Sequence, residues 1–396
     1  MKFVFLCSSL SEGKDGVGDY TRNLARELTG IGHRCLLIAL NDSEPTAGVG
    51  VQEGGEILRL SRTTSWNARV ERALAVMTSF CPDWISLQFV PYGFHPKGLC
   101  LGLAEHLAPL FRSGRHHIMF HELWIGESVE YGLKDRAIGF LQKRGVLRLL
   151  QRLEPAVIHT SNPVYRELLE RNGVSASELP LAGNIPVVEP EWNGMEMLLR
   201  DQGWPMDSFR RDEWLVGGVF GTIHSQWLPA VFLDQLSVQA GEMQKRVLLV
   251  HLGRTANAGT DVWQRLAKEY VGRCEFIALG PQSETYLSTL FQSLDFGMAT
   301  SPWALIGKSG SVAAMLDHGL PVMVTRDDWR LRNGVTPEPT PHPLLFKSSK
   351  TFFQQIGRGL PNRSAGSGWP AMAEQFLQDL PVIENQCSST AMGTVS

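Results

Sequence analysis

A short segment in the second half of the chain combines a lysine, two serines and two glycines just before an apolar helical pattern. The start of a helix carries free N–H groups and the positive end of the helix dipole. Because the lysine, the hydroxyls and the helix start would act on one spot, we predict a phosphate cradle with Lys308 as its catalytic cation. The expected members are Lys308, Ser309, Gly310 and Ser311. An ordinary helix capped by Ser309 is the alternative.

A second candidate phosphate site follows the strand predicted over residues 215–220, where a glycine turn leads into a helix. The backbone of Gly221 and the hydroxyls of Thr222 and Ser225 would suit a phosphate there. Arg254, just after the next predicted strand, is placed to add a positive charge. A surface arginine in a loop is an equally good interpretation of Arg254.

The turn at residues 15–21, after the first predicted strand, is also rich in glycine. In an open α/β sheet this turn lies at the carboxyl ends of the strands, where ligands bind, and its glycines let a ligand approach the backbone. Turn geometry alone is the alternative. Asp42, after the next strand, could hold a ribose, but Thr21 replaces the third glycine of a dinucleotide fingerprint, so a nicotinamide cofactor is not expected. The residues expected at the ligand are Gly16, Gly18, Asp19 and Tyr20.

His121 and Glu122 stand together at the end of a predicted central strand. A histidine and a carboxylate that leave a sheet together could orient a hydroxyl or relay a proton, so we predict both as catalytic residues. The alternative is a structural His121 beside a solvated Glu122. The other histidine pair, His116 and His117, is predicted to enter a strand, because adjacent side chains of a strand point to opposite faces.

These residues need a scaffold, and the apolar pattern predicts one. The run Lys2–Cys7, a helix over residues 17–29 and a strand over residues 34–40 read as a β-α-β unit. Strands and helices alternate to about residue 171, and the alternation resumes at Leu215, which predicts an α/β fold with two Rossmann-like domains facing each other across a cleft. The expected divisions are a first domain over residues 1–186, a linker over 187–213, a second domain over 214–384 and a disordered tail over 385–396.

Composition narrows the class of protein. A chain of 396 residues, 43% of them hydrophobic, suffices for two cores. The formal net charge of −3 provides no long-range field for attracting nucleic acid. Six cysteines without a CxxC pair argue against structural zinc and a disulfide framework, and fit reduced thiols in the cytoplasm. The first apolar run is shorter than a secretory signal needs, and no run reaches the ~18 residues of a membrane span.

Taken in order, the motifs resemble those of the retaining glycosyltransferases of the GT-B fold in family 4. The matching pieces cover nearly the whole chain and are residues 15–21, His121 and Glu122, residues 159–162, residues 183–186 with Asn184, residues 218–221 and residues 295–325. The resemblance implies transfer of a sugar, with retention, from a nucleotide-diphosphate sugar to a saccharide, lipid-linked or small-molecule acceptor.

The resemblance also distributes the roles. It places Gly18 and His121 beside the transferred sugar in an acceptor domain. Four residues of the donor domain surround the phosphates, namely Arg254, Lys308, Ser309 and Ser311. Peripheral membrane contact is compatible with this class. Since the sequence has no Asp-x-Asp triplet, no metal or other cofactor is expected.

The chain departs from the family pattern at one point. Many members carry a pair of glutamates around the last helix of the nucleotide site, and the second would fall near Ala313 or Ala314. The segment His318 to Pro321 instead matches relatives with a basic, serine-containing cluster before this helix. Two alternatives therefore stay open, a non-catalytic binding protein on a nucleotide-sugar fold and a nucleotide-sugar epimerase.

Overall fold

A computed structural model describes residues 1–13, 16–46, 48–204, 209–357 and 365–381. Asp15, in the first glycine turn, and the tail expected to be disordered lie outside the described residues. The described chain forms two units, each built on one sheet with helices on its faces. This arrangement confirms the predicted α/β class.

The first sheet has the strand order β3-β4-β2-β1-β5-β6-β7-β8 among the described residues, and all its pairs are parallel except β3 with β4. The central strand β1 sends Val4 and Leu6 to one apolar cluster and Phe3 and Phe5 to the other. Both faces are covered, which explains the uninterrupted apolar run in the sequence. The strands are β1 (Lys2–Cys7), β2 (Arg34–Asp42), β3 (Gly50–Gln52), β4 (Gly55–Ser61), β5 (Trp84–Phe89), β6 (Arg115–Phe120), β7 (Val157–Thr160) and β8 (Ser177–Glu178).

The second sheet has the order β11-β10-β9-β12-β13-β14, with every described pair parallel. Its central strand β9 carries Gly217, where an added Cβ would lie 2.3 Å from the Phe296 ring on the neighbouring strand. The glycine therefore makes room for an aromatic core. The strands are β9 (Trp214–Phe220), β10 (Arg246–Leu252), β11 (Cys274–Gly280), β12 (Phe296–Ala299), β13 (Val322–Val324) and β14 (Leu345–Phe346).

Helices connect the strands and cover both sheets. None of the described helices combines the length and the apolar composition that a bilayer span requires. The helices are α1 (Gly16–Gly30), α2 (Trp66–Phe80), α3 (Pro91–Phe94), α4 (Leu103–Leu107), α5 (Leu133–Leu153), α6 (Pro163–Glu170), α7 (Gly194–Asp201), α8 (Ala230–Glu242), α9 (Asn257–Glu269), α10 (Glu284–Ser293), α11 (Gly310–Asp317), α12 (Ser349–Gly357) and α13 (Trp369–Asp379).

Two segments that connect the strands contain short helices. In the segment before β6, α4 is followed directly by a 3-10 helix at Ala108–Phe111. Pro109 has no N–H to donate, which interrupts α-helical hydrogen bonding there. Residues 187–213, predicted as a linker, contain α7, and the Asn193 side chain begins this helix by accepting hydrogen bonds from two backbone N–H groups.

The last helix, α13, follows the second sheet in sequence but packs on the first. The Phe376 ring lies 5.8 Å from that of Phe3 and 6.3 Å from that of Phe5, measured between centroids. The indole N–H of Trp369 donates to the carbonyl oxygen of Gly183 over 2.6 Å. This helix therefore ties the carboxyl-terminal segment to the first unit. The division of the chain into residues 1–186 and 214–384 remains a prediction.

Candidate active site

A cleft of about 1050 Å³ lies between the two units, where the carboxyl ends of strands from both sheets face each other. Most of the residues that the sequence singled out line it. The lining members are Gly16, Asp19, Tyr20, His121, Glu122, Asn184, Gly221, Thr222, Arg254, Lys308, Gly310 and Ser311. Residues far apart in sequence thus meet at one site, as the parallel topology requires.

Three of the predicted site residues are not among those that line the cleft. Gly18 lies in α1, and a Cβ there would come within 2.6 Å of the Ser9 carbonyl oxygen, so this glycine serves the close approach of helix and turn. Ser225 is exposed. The Ser309 side chain caps α11 by accepting a hydrogen bond from the backbone N–H of Val312 over 3.4 Å, which is the alternative expected for it.

Lys308 ends the 3-10 helix Trp303–Lys308 and reaches across the cleft to the first unit. Its ammonium lies 2.9 Å from Oε1 of Glu122. Gly307 permits this approach, because a Cβ at that position would lie 2.6 Å from the Ser161 carbonyl oxygen. Burial disfavours the charged ammonium, but Tyr165 and Glu122 outweigh that effect and hold the pKa of Lys308 above its usual value. The lysine is therefore a fixed cation, and Glu122 is its carboxylate partner among the described residues.

Two glycines, Gly221 and Gly253, form a floor of the cleft beside the start of α11. Gly221, Gly253 and Gly280 lie at the carboxyl ends of the adjacent strands β9, β10 and β11, with φ angles of +83°, +93° and +66°. Backbone hydrogen bonds join this region, since the Gly253 N–H donates to the Gly280 carbonyl oxygen. A Cβ on Gly221 would lie 2.5 Å from Oγ of Ser311. The floor lacks side chains and borders the positive end of a helix dipole, which suits an anion.

Sequence reasoning singled out Gly221 but missed Gly253, the other glycine of the floor. Arg254 follows Gly253, is exposed, and donates from Nη1 to the Gly13 carbonyl oxygen of the first unit over 3.5 Å. It adds the positive charge that the sequence placed near this floor.

His121 is 9% exposed and meets the cleft beside Tyr20, with ring centroids 4.7 Å apart in an edge-to-face arrangement. Its Nε2 lies 2.9 Å from Oε1 of Gln88. Burial lowers the pKa of His121 to about 3, so the imidazole is neutral near pH 7. Of the two roles expected from the sequence, this environment favours orienting a hydroxyl over relaying a proton.

Asp42 is fully buried and binds its own protein. Its carboxylate accepts hydrogen bonds from the backbone N–H of Leu10 and from the Arg59 guanidinium, each over 2.9 Å. These contacts hold the turn after β1 in place. The Asp42 carboxylate thus positions the turn, and its oxygens are occupied by Leu10 and Arg59 rather than open to a ribose.

Other residues line the cleft without a signal that the sequence analysis could use. Trp369 arrives from α13, and its ring lies 5.3 Å from that of Tyr20. Gln282 and Glu284 follow β11 at the opposite wall. Among the described residues, no three His, Cys, Asp or Glu side chains cluster so that they could hold a metal ion.

Solved structures resemble this chain over nearly its whole length. The catalytic domain of starch synthase IV from Arabidopsis thaliana, bound to ADP and acarbose, has a TM-score of 0.61 at 11% identity, covering 96% of this chain and 98% of that one. The E. coli trehalose-6-phosphate protein bound with UDP-2-fluoro glucose has a TM-score of 0.53 at 12% identity, with 96% of both chains covered. WaaG, a glycosyltransferase involved in lipopolysaccharide biosynthesis, has a TM-score of 0.52 at 12% identity and covers 95% of both.

At such identities the likeness concerns the fold, and it confirms the predicted GT-B architecture of two Rossmann-like units across a cleft. No protein-family model and no curated protein sequence matches the chain.

Proposed function

We propose that the protein is a glycosyltransferase, of hexosyl type, that moves a sugar from a nucleotide-diphosphate sugar to an acceptor hydroxyl with retention. One observation carries the proposal. A floor of two glycines, Gly221 and Gly253, beside the start of α11 lines the same cleft as His121 and Tyr20, and the cleft is large enough for a nucleotide sugar.

The diphosphate is the part of the donor that this floor suits best. Backbone N–H groups at the start of α11, the Ser311 hydroxyl and the cations Arg254 and Lys308 all border the cleft on one side. Breaking the anomeric bond leaves a nucleoside diphosphate on which negative charge grows. Fixed positive donors at that point stabilise the transition state more than the ground state, which is the requirement for catalysis.

The sugar would then lie toward the first unit. Neutral His121 is suited to a hydrogen bond with a sugar hydroxyl, and Tyr20 offers an aromatic edge beside it. Glu122 holds Lys308 at the boundary between sugar and phosphates. We assign Asn184, from the segment that leaves the first unit, and Asp19 to the same ligand.

The structural neighbours support this assignment through what they bind, because one holds ADP with acarbose and another holds UDP-2-fluoro glucose. By extension we propose membership of family 4, a saccharide or lipid-linked acceptor, transfer without a metal, and a location in the cytoplasm. An acceptor of that kind fits the likeness to WaaG, which is involved in lipopolysaccharide biosynthesis.

Two observations favour a second candidate, a non-catalytic protein that binds nucleotide sugars. The carboxylate of Glu122 already offsets the charge of Lys308, and alanines stand where relatives have the second glutamate. An epimerase on the same fold would be recognised by an altered sugar nucleotide formed without an acceptor.

A panel of UDP-, ADP-, GDP- and dTDP-sugars tests the proposal through release of the nucleoside diphosphate. We expect slow release from at least one donor, and Lys308→Ala to reduce it roughly a hundredfold, since loss of one fixed donor costs ~3 kcal/mol of barrier. Lys350→Ala, which removes an exposed lysine from α12, serves as the matched control. Binding without turnover would favour the non-catalytic protein. Turnover unchanged in Lys308→Ala would overturn the assigned mechanism.

A further inference from the structure

Six side chains form a continuous series of hydrogen bonds from the cleft to the last helix. Nε2 of His121 lies 2.9 Å from Oε1 of Gln88, and Nε2 of Gln88 lies 2.7 Å from Oγ of Ser86. Oγ of Ser86 lies 2.7 Å from Nδ1 of His117, and Nε2 of His117 lies 3.0 Å from Nδ1 of His159. Nε2 of His159 lies 3.0 Å from Oδ2 of Asp379.

The interior of this hydrogen-bonded series is closed to solvent. Ser86, Gln88 and His159 are 0% exposed and His117 is 1% exposed, whereas the side chain of Asp379 is 31% exposed. The four interior residues lie on the neighbouring strands β5, β6 and β7 of the first sheet. Water therefore reaches the series of side chains only near His121, at the cleft, and near Asp379, on α13.

Burial favours the neutral form of both imidazoles in the interior of this hydrogen-bonded series near pH 7. Burial, with the adjoining histidines, lowers the pKa of His117 well below its usual value. Burial also lowers the pKa of His159, although Asp379 opposes that shift. A neutral imidazole has one N–H donor and one acceptor nitrogen, so fixing the role of one ring nitrogen fixes the role of the other.

The carboxylate at the end sets the direction of every bond. Ionised Asp379 can only accept, so Nε2 of His159 donates and its Nδ1 must accept. Nε2 of His117 then donates to His159, and Nδ1 of His117 must accept from the Ser86 hydroxyl.

The same reasoning continues to the cleft. The Ser86 oxygen, having given its proton to His117, accepts from the Gln88 amide N–H, which leaves Oε1 of Gln88 facing His121. An amide oxygen can only accept, so Nε2 of His121 carries the proton. Nδ1 of His121 is then an acceptor, and it forms no hydrogen bond with any residue that the structure describes.

We propose that Asp379 is a positioning residue that fixes the tautomer of His121, so that its Nδ1 presents an acceptor to the cleft. The ligand group beside His121 must then be a hydrogen-bond donor. A sugar hydroxyl satisfies this condition, whereas a carboxylate or carbonyl oxygen at the same place does not. This consequence for the substrate rests on the proposed function; the tautomer itself does not.

Nitrogen NMR of the full chain labelled with ¹⁵N-histidine tests the proposal without any substrate, because two-bond ¹H–¹⁵N couplings distinguish a protonated from an unprotonated ring nitrogen. We expect His121, His117 and His159 each to carry the proton on Nε2 near pH 7. Asp379→Asn should mix the tautomers of all three, since an amide can either donate or accept. Glu374→Gln removes a carboxylate from an exposed position of the same helix and should change none of them.

A second variant interrupts the series of hydrogen bonds at Ser86. Ser86→Ala should release His121 alone, because Gln88 loses the acceptor that orients its amide while His117 and His159 keep Asp379. A proton on Nδ1 of His121 in the wild type would overturn the proposal. This measurement uses the wild-type protein alone, so it does not depend on whether a variant folds. So would a His121 signal that stays unchanged in Asp379→Asn while His159 responds.

Kinetics separate this inference from the proposed function. With an active donor, Asp379→Asn should lower kcat more than it raises KM, and Glu374→Gln should match the wild type. If no nucleotide sugar is turned over but the tautomers behave as stated, the proposed function fails and the tautomer assignment stands.

Discussion

The Lys308 ammonium and the Glu122 carboxylate meet at 2.9 Å across the cleft and join the second unit to the first. The two positions are separated by 186 residues in sequence. The same lysine borders the floor on which we place the donor diphosphate. A bound diphosphate and Glu122 would therefore share one cation.

Removing the carboxylate charge should tighten nucleotide binding. Glu122→Gln keeps the size of the side chain but leaves the Lys308 charge undivided, so we expect a nucleoside diphosphate to bind on the order of fivefold more tightly, or ~1 kcal/mol. Calorimetric titration at constant ionic strength measures the change. Glu167→Gln removes a carboxylate that pairs with Arg171 on α6, outside the cleft, and should bind like the wild type. Weaker binding by Glu122→Gln would show that Lys308 does not contact the phosphates.

Two serines with similar predicted roles should behave differently. Ser311 lines the cleft at the start of α11, whereas Ser225 is exposed and lies outside the lining. Ser311→Ala should weaken binding of a nucleoside diphosphate roughly fivefold, the effect of one hydrogen bond of ~1 kcal/mol. Ser225→Ala should leave it unchanged. The same titration checks both variants, and equal effects would argue against the assigned position of the phosphates.

Buried His121 should make the fold sensitive to acid. Burial lowers its pKa from 6.5 to about 3, so between these values the unfolded chain binds a proton that the folded chain does not. Its contribution to the free energy of unfolding is complete above pH 6.5 and falls as the pH falls, by up to ~1.4 kcal/mol for each pH unit. When the pH falls from 7 to 5, the free energy of unfolding of His121→Gln should therefore decrease by about 2 kcal/mol less than that of the wild type. Urea unfolding at several pH values measures both proteins, and parallel curves would contradict the expectation.

The last helix should stabilise the first unit. Phe376 of α13 is 0% exposed and lies against Phe3 and Phe5. Phe376→Ala should lower the free energy of unfolding by roughly 3–5 kcal/mol, because it leaves a cavity in a closed core. Phe140, 58% exposed on α5, offers a matched control whose alanine variant should stay within about 0.5 kcal/mol of the wild type. Denaturant unfolding compares the two, and similar losses would place α13 outside the core.

Several local features were predictable because they depend on neighbours in sequence. The apolar run of β1 and the amphipathic pattern of α1 indicate how each segment is buried, and their alternation predicts a parallel sheet. Gly221 and the start of α11 could be located for the same reason, since turns and helix starts have local signatures. The function of Gly18 could not, because the clash that it avoids with Ser9 exists only after the turn has folded.

By itself, the sequence determined two α/β units, the strand ends at which ligand-binding residues lie, and the glycine turn beside the start of α11. Only the tertiary structure decided that Lys308 faces Glu122, that α13 returns to the first sheet, and that Asp379 is linked to His121 through four buried side chains. The physical reason is the distance along the sequence over which each effect acts. Periodicity and turn chemistry act over a few neighbouring residues, whereas these pairings depend on how two sheets and a distant helix pack against one another.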